Sequence, residues 1–282
     1  MSQARLMDGT ALARRTLEAT AERAAELTRR AGQAPCLATV LVGEDPASVT
    51  YVRMKQNRCR TAGIESRHVA LPAATSTEEL VGTLRTLSED PGVHGILLQH
   101  PMGAHIDERA AFEAIAPEKD VDGVTFASFA TMSFGLPGFV SCTPGGIMRL
   151  LDAHDVAPSG RRAVVVGRSA ILGKPVGMLL LARDATVTYC HSRTRDLSAV
   201  VREADIVVAA VGRPRLIQGR DIKPGAVVVD AGYNPGNIGD VDFDSAVERA
   251  SLITPVPGGV GPMTIALLLE QTVDAAARQL GV

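Results

Sequence analysis

VVVGRSAILGKPVG, residues 164–177, is an apolar run that breaks into a glycine-rich turn and resumes as a helix-forming stretch. Strand, turn and helix in that order are the context a dinucleotide-binding turn requires. The glycines stand at 167, 173 and 177, a spacing other than G-x-G-x-x-G. The physical logic is the same. Gly167 lets the backbone turn and approach a phosphate, and the following helix offers free N–H groups at its N-terminus. A plain structural turn has the same pattern, so the next strand matters. TVTYC (186–190) ends 23 residues beyond Gly167, where an adenine ribose belongs. NAD enzymes place Asp or Glu there. Here His191-Ser192-Arg193-Thr194 follow, with no acid before Asp196. Ser192 and Arg193, with Arg168 in the turn, can bond a 2′-phosphate, which points to NADP rather than NAD. The alternative is a solvated basic loop.

Outward from this turn, strands and helices alternate. Further strands are expected at DIVVAAVG (205–212) and GAVVVDAG (225–232), and a long helix at 262–280. Upstream, Thr143 as N-cap with Pro144 opens a helix through about Ala153. The N-terminal half repeats the alternation. A helix is expected over 8–30, then the strand CLATVLVG (36–43), a helix over 48–62 and the strand RHVAL (67–71). A helix over 76–90, the strand HGILLQ (94–99) and a helix over 107–115 follow. The segment 117–142, rich in Gly, Pro and Phe, reads as irregular. The expectation is an α/β protein: two α/β domains with a cleft between them, the second a Rossmann-like parallel sheet.

Bulk properties narrow the function. The 282 residues suffice for about two domains, and 46% hydrophobic residues suffice for real cores. A formal net charge of −2 suggests neither a nucleic-acid nor a membrane-surface partner. Cys36, Cys59, Cys142 and Cys190 are scattered without C-x-x-C pairing, so zinc or any other metal site is not expected, nor a disulfide framework. The first fifteen residues lack an apolar core, and no run reaches the roughly 18 apolar residues of a membrane span. Scattered thiols suit the cytoplasm.

Chemistry-bearing residues collect in four further places. SVTYVRMK (48–55) puts Ser48, Tyr51 and Lys55 on one face of a helix, where a ring can stack on a flat heterocycle beside a proton-handling lysine. Many surface helices carry one Tyr and one Lys, so context is needed. Gln99 ends a strand at the carboxyl edge, where α/β sheets bind ligands. KDVDG (119–123) holds two acids in a glycine-bounded loop. TPVPGGVGPMT (254–264), with Pro257, Gly258 and Gly259 at its centre, either forms a rigid helix entry or permits close approach of a planar or anionic ligand.

Together these motifs resemble the bifunctional methylenetetrahydrofolate dehydrogenase/cyclohydrolase family along nearly the whole chain. The matching stretches are YVRMK (51–55), KDVDG (119–123), VVGRSAILGKP (165–175), CHSRT (190–194), GDVDF (239–243) and TPVPGGVGPMT (254–264). The resemblance implies a homodimer of two-domain chains. A catalytic, folate-binding domain would span 1–143, completed by the helix 262–282, and an NADP-binding domain would span 144–261. By motif, Lys55 would be the main proton-transfer residue, Tyr51 would stack on the folate, Gln99 would tune Lys55, and Asp122 would bind the pterin. Ser48, Pro257, Gly258 and Gly259 would line the substrate. Gly167, Arg168, Ser169, Ser192, Arg193 and Tyr233 would meet the dinucleotide.

The chain departs from the family pattern in places. Gln99 is followed by His100-Pro101-Met102-Gly103, where the family shows Leu-Pro-Leu-Pro. Tyr233 replaces an aliphatic residue beside the nicotinamide, and FATMSFGLPGF (129–139) is less typical. Two rival readings stay open: a dehydrogenase of another small substrate, such as an amino or hydroxy acid, and a folate- or nucleotide-binding protein without turnover.

Overall fold

The computed structural model describes residues 3–43 and 46–282, with backbone alone for 46–53. In chain order, the first elements are β1 (Arg5–Leu6), α1 (Gly9–Ala31), β2 (Cys36–Val42), α2 (Pro46–Thr61), β3 (Glu65–Leu71) and α3 (Thr77–Glu89). Next come β4 (Gly95–Leu98), α4 (Glu108–Phe112), α5 (Phe126–Ser133), α6 (Cys142–Ala153), β5 (Arg162–Val166), α7 (Gly173–Leu181) and β6 (Thr186–Cys190). The chain closes with α8 (Leu197–Arg202), β7 (Ile206–Ala209), β8 (Val227–Asp230), α9 (Phe243–Ala246), β9 (Leu252–Ile253) and α10 (Val260–Leu280). Among the described residues no helix is long and apolar enough to cross a membrane.

Two compact units form. One contains Met1–Arg14, Met132–Leu136 and Ser141–Thr264; the other contains Arg15–Thr131, Pro137–Val140 and Ile265–Val282. The first is built on a six-stranded sheet in the order β1-β9-β8-β7-β5-β6, every pair parallel. Its central strands are near-continuous runs of Val, Ile and Ala because both faces are covered: Val164 to Val166, Ile206 to Ala209 and Val227 to Val229 are all buried. The two-residue strands β1 and β9, at one end of the sheet, carry too few residues for any period to show. The second unit holds a parallel sheet in the order β3-β2-β4. Every residue of β2 is buried. Helix α3 packs Leu80, Leu84 and Leu87 inward and is opened by a reciprocal cap in which Ser76 and Glu79 bond each other's backbone.

Two sequence expectations need correction. The segment 117–142 is not irregular throughout, since FASFATMS forms α5. Its aromatic and glycine-flanked composition hid a helix of only 8 residues. The helix through Ala153 begins at Cys142, with Ser141 rather than Thr143 at the cap position. Thr143 lies inside the first turn, and its Oγ1 is 3.0 Å from Thr264 Oγ1.

At the carboxyl end of β8, Asp230 is almost fully buried. Its carboxylate accepts the N–H groups of Gly232 (2.9 Å), Asp240 (3.0 Å) and Val241 (2.9 Å). Burial wins over these three bonds and pushes the carboxyl up to about 6. The folded chain therefore binds this proton more tightly than the unfolded chain. The resulting stabilisation is complete below the ordinary value of 3.8 and is lost as pH rises through about 6. At neutral pH the loss is roughly 3 kcal/mol. Chemical denaturation of wild type and Asp230→Asn across pH 4 to 7 should show wild type losing stability relative to the variant as pH rises; a constant difference would contradict this.

Candidate active site

The second unit supplies a lysine that is held rather than solvated. Lys55 lies on α2 and is 8% exposed. Its Nζ donates to Gln99 Oε1 at 3.0 Å. Gln99 immediately follows β4, so the central sheet presents it at its carboxyl edge. Its own Nε2 donates to the His100 carbonyl at 2.9 Å, which fixes which end of the amide faces the lysine. The sequence placed these two residues 44 positions apart, and the fold joins them. His100 turns elsewhere. Its ring lies edge-on to Phe112, and Nδ1 is 3.9 Å from Glu108. The side chains of Ser48 and Tyr51 lie outside the described residues.

The KDVDG loop divides its acids. Asp120 is fully buried and accepts from Val124 N (3.1 Å), Thr125 N (2.9 Å) and Ser128 Oγ (2.6 Å). Lys119 is buried too and donates to the Asp90 carbonyl at 2.6 Å, its ammonium destabilised by burial. From α10, Gln271 Nε2 donates to the Val121 carbonyl at 2.8 Å. Three anchors thus fix the loop and leave Asp122 half-buried. The sequence reading counted Asp120 as one of two acids without giving it a role, and it missed Gln271. An acid before a glycine-bounded turn signals a loop brace as well as a ligand, and nothing marks a glutamine on a long helix.

The first unit supplies the turn after β5. Gly167 has φ +139°, and a Cβ there would lie 2.2 Å from the Ala210 carbonyl oxygen. A Cβ on Gly173 would meet the Gly167 carbonyl oxygen at 2.6 Å, so the turn folds back against the first turn of α7. Ser169 Oγ accepts from Gly173 N at 3.1 Å, which makes this residue a brace of the turn as well as a candidate ligand. Arg168 is exposed. After β6, His191 N donates to Thr194 Oγ1 (2.8 Å) and Arg193 N donates to His191 Nδ1 (3.2 Å). These bonds shape a short turn whose Ser192 and Arg193 are exposed. Asp196, the first acid beyond it, is occupied in capping α8 through Ala199 N. A turn bare of side chains at Gly167 and Gly173, two exposed guanidiniums and no acid at the ribose position form a fitting set for a phosphorylated dinucleotide.

Tyr233, after β8, is 62% exposed, and its hydroxyl donates to Asn237 Oδ1 at 2.8 Å. The loop of Pro257, Gly258 and Gly259 is tied down from two sides. Thr10 N donates to the Gly258 carbonyl at 3.0 Å, and Asp230 N donates to Thr254 Oγ1 at 2.7 Å. Gly258 has φ +102°, a conformation side chains resist.

Comparison with known proteins agrees with this geometry. The model of the tetrahydrofolate dehydrogenase/cyclohydrolase catalytic domain matches residues 7–122, and that of the family's NAD(P)-binding domain matches residues 141–280. The bifunctional protein FolD 1 of Streptomyces avermitilis is 79% identical over 279 residues, covering 99% of this chain and 97% of that one. The solved bifunctional methylenetetrahydrofolate dehydrogenase/cyclohydrolase of Campylobacter jejuni is 43% identical, with TM-score 0.95, covering 98% of this chain and 99% of that one. The Trypanosoma brucei enzyme, solved with NADP cofactor and an inhibitor, is 39% identical with TM-score 0.96 over the full length of both chains. The chain belongs to the tetrahydrofolate dehydrogenase/cyclohydrolase family.

Proposed function

We propose that this chain oxidises 5,10-methylenetetrahydrofolate with NADP and hydrolyses the product to 10-formyltetrahydrofolate, with Lys55 as the proton carrier of the second reaction. The observation that carries the assignment of Lys55 is its buried hydrogen bond to Gln99. Family membership and the NADP-bound relative support the two reactions and the cofactor. Neither rival reading from the sequence gains support, because the relatives carry bifunctional names over nearly the whole chain.

The two reactions ask different things of the protein. In the first, the one-carbon bridge lies between two nitrogens. A nitrogen lone pair expels hydride from it, leaving a cation shared by both nitrogens. Bound NADP supplies the hydride acceptor. No side chain must move a proton, so this chain's task is positioning. In the second reaction, water adds to the electrophilic carbon, a proton leaves, and one C–N bond breaks. That step needs a group that takes and returns a proton, and Lys55 has the chemistry and the fixed geometry for it. Asp122 and Tyr51 would hold the folate ring system, with Ser48 and the Pro257–Gly259 loop beside it. Gly167 and Ser169 would meet the dinucleotide phosphates, Arg168, Ser192 and Arg193 the 2′-phosphate, and Tyr233 the nicotinamide side.

Domain roles follow the same reading: 1–143 with 262–282 for folate, 144–261 for NADP. The expected assembly is a homodimer, and the outer edge of β3, unpaired among the described residues, supports a protein partner. The four cysteines are free and buried, which supports residence in the reducing cytoplasm. No nucleic-acid partner is expected at net charge −2.

Two variants test these assignments. Lys55→Met keeps most of the side-chain length and removes the proton and the charge. It should lower methenyl hydrolysis by about 10²–10⁴-fold while measurable dehydrogenase activity and the circular dichroism spectrum persist. Hydrolysis near the wild-type rate would exclude Lys55. Arg168→Ala should weaken NADP⁺ by about ten- to a hundredfold and NAD⁺ much less. Titrations showing equal losses for both nucleotides would remove Arg168 from the 2′-phosphate site.

A further inference from the structure

The loop between β8 and α9 holds a buried carboxylate that the reactions above do not use. Asp240 is fully buried. Its Oδ2 accepts from Val211 N at 2.6 Å and Gly212 N at 2.9 Å. Its Oδ1 accepts from Arg213 N at 2.8 Å and Asn234 Nδ2 at 3.0 Å. An anion removed from water is costly unless donors converge on it, and four N–H groups do so here. The surroundings admit nothing larger. A Cβ on Gly232 would sit 2.2 Å from Asp240 Cγ, and one on Gly239 would sit 1.9 Å from Asp230 Oδ2. Asp230 in turn accepts the backbone N–H of Asp240 itself. The two acids therefore fasten the segment after β7 and the segment after β8 to the part of the β8–α9 loop that carries Asp240.

Sheet order indicates what that fastening serves. From the edge, the strands run β6, β5, β7, β8. The ribose-side candidates, Ser192 and Arg193, follow β6, and the glycine turn follows β5. A dinucleotide laid along the carboxyl edge, with adenosine at β6 and pyrophosphate at β5, extends its other half toward β7 and β8. The backbone waiting there is Val211–Arg213 and Ala231–Asn234, the two stretches joined by Asp240.

We propose that Asp240 is a positioning residue for the nicotinamide half of the cofactor: it touches neither cofactor nor substrate, and it holds the Val211–Arg213 backbone and, through Asn234, the Tyr233 loop at the carboxyl edge. This rests on the NADP reading above. The four donors require an acceptor on both oxygens. Asp240→Asn preserves size but turns one oxygen into an amide that faces N–H groups, so one of the two segments must let go.

The test measures both reactions on wild type, Asp240→Asn and Asn234→Ser, with circular dichroism and thermal unfolding. Asp240→Asn should raise the KM for NADP⁺ at least about tenfold, while methenyl hydrolysis, governed by Lys55 in the other unit, stays within about twofold. Asn234→Ser removes only the side-chain bridge and should raise the same KM about threefold or more at unchanged hydrolysis. It decides the matter if Asp240→Asn does not fold. An unchanged KM for NADP⁺ in a folded variant, or equal loss of both activities in Asn234→Ser, would overturn the proposal. Wild type lacking any NADP⁺-dependent activity would instead sink the cofactor reading itself.

Discussion

The chemistry proposed above depends on one hydrogen bond, from Lys55 Nζ to Gln99 Oε1. Its partner is a neutral amide. A carboxylate in that place would bind the ammonium firmly and hold the proton, whereas an amide oxygen orients the nitrogen without fixing its charge. The Gln99 amide can orient only because its other end is spent on the His100 carbonyl. The backbone that carries Gln99 is in turn fixed, since its N–H donates to the Val40 carbonyl of the fully buried β2. A chain of constraint runs from a fully buried strand, through the end of its neighbour β4, to one amine.

The first unit solves a different problem with a different device. The turn after β5 is glycine where side chains would collide with Ala210 or with the turn itself, which leaves the bare backbone that the proposed phosphate contact needs. Bare backbone is floppy, and the loops at this edge need an external brace. Buried acids provide it. Asp230 and Asp240 collect backbone N–H groups that no strand satisfies, at the cost of keeping two carboxylates out of water. Asp120 does the same for the loop before α5 in the other unit. The recurring arrangement is a carboxylate that accepts several backbone donors beside a loop of functional residues.

Much of this was legible in the sequence because buried parallel strands leave continuous apolar runs, and β2, β5, β7 and β8 are such runs. The glycine turn was legible because Gly167 sits between a strand and a helix. Two-residue strands such as β1 and β9 were not, since no pattern fits in so short a span. The start of α6 was misplaced by two residues. Thr143-Pro144 has the right chemistry for a helix opening, and the fold begins the helix at Cys142 instead. Asp240 was visible only as a letter in a matching motif, because an acid in a glycine-flanked turn looks like any exposed turn acid. Only the approach of Val211, Gly212 and Arg213, distant in sequence, reveals its burial. The pairing of Lys55 with Gln99 lies in the same class: each residue was a candidate by itself, and only the fold supplies the distance.

The proposed proton transfer by Lys55 in methenyl hydrolysis, with Gln99 setting the amine's readiness, is open to direct test. Its most direct measurement is the pH profile of hydrolysis in wild type and Gln99→Glu. The introduced carboxylate would stabilise the ammonium, whether the amine acts as base or as acid. The limb belonging to Lys55 should therefore move to higher pH by about one unit or more. An unmoved profile in a folded, active variant would show that the titrating group of the reaction is not the lysine beside Gln99.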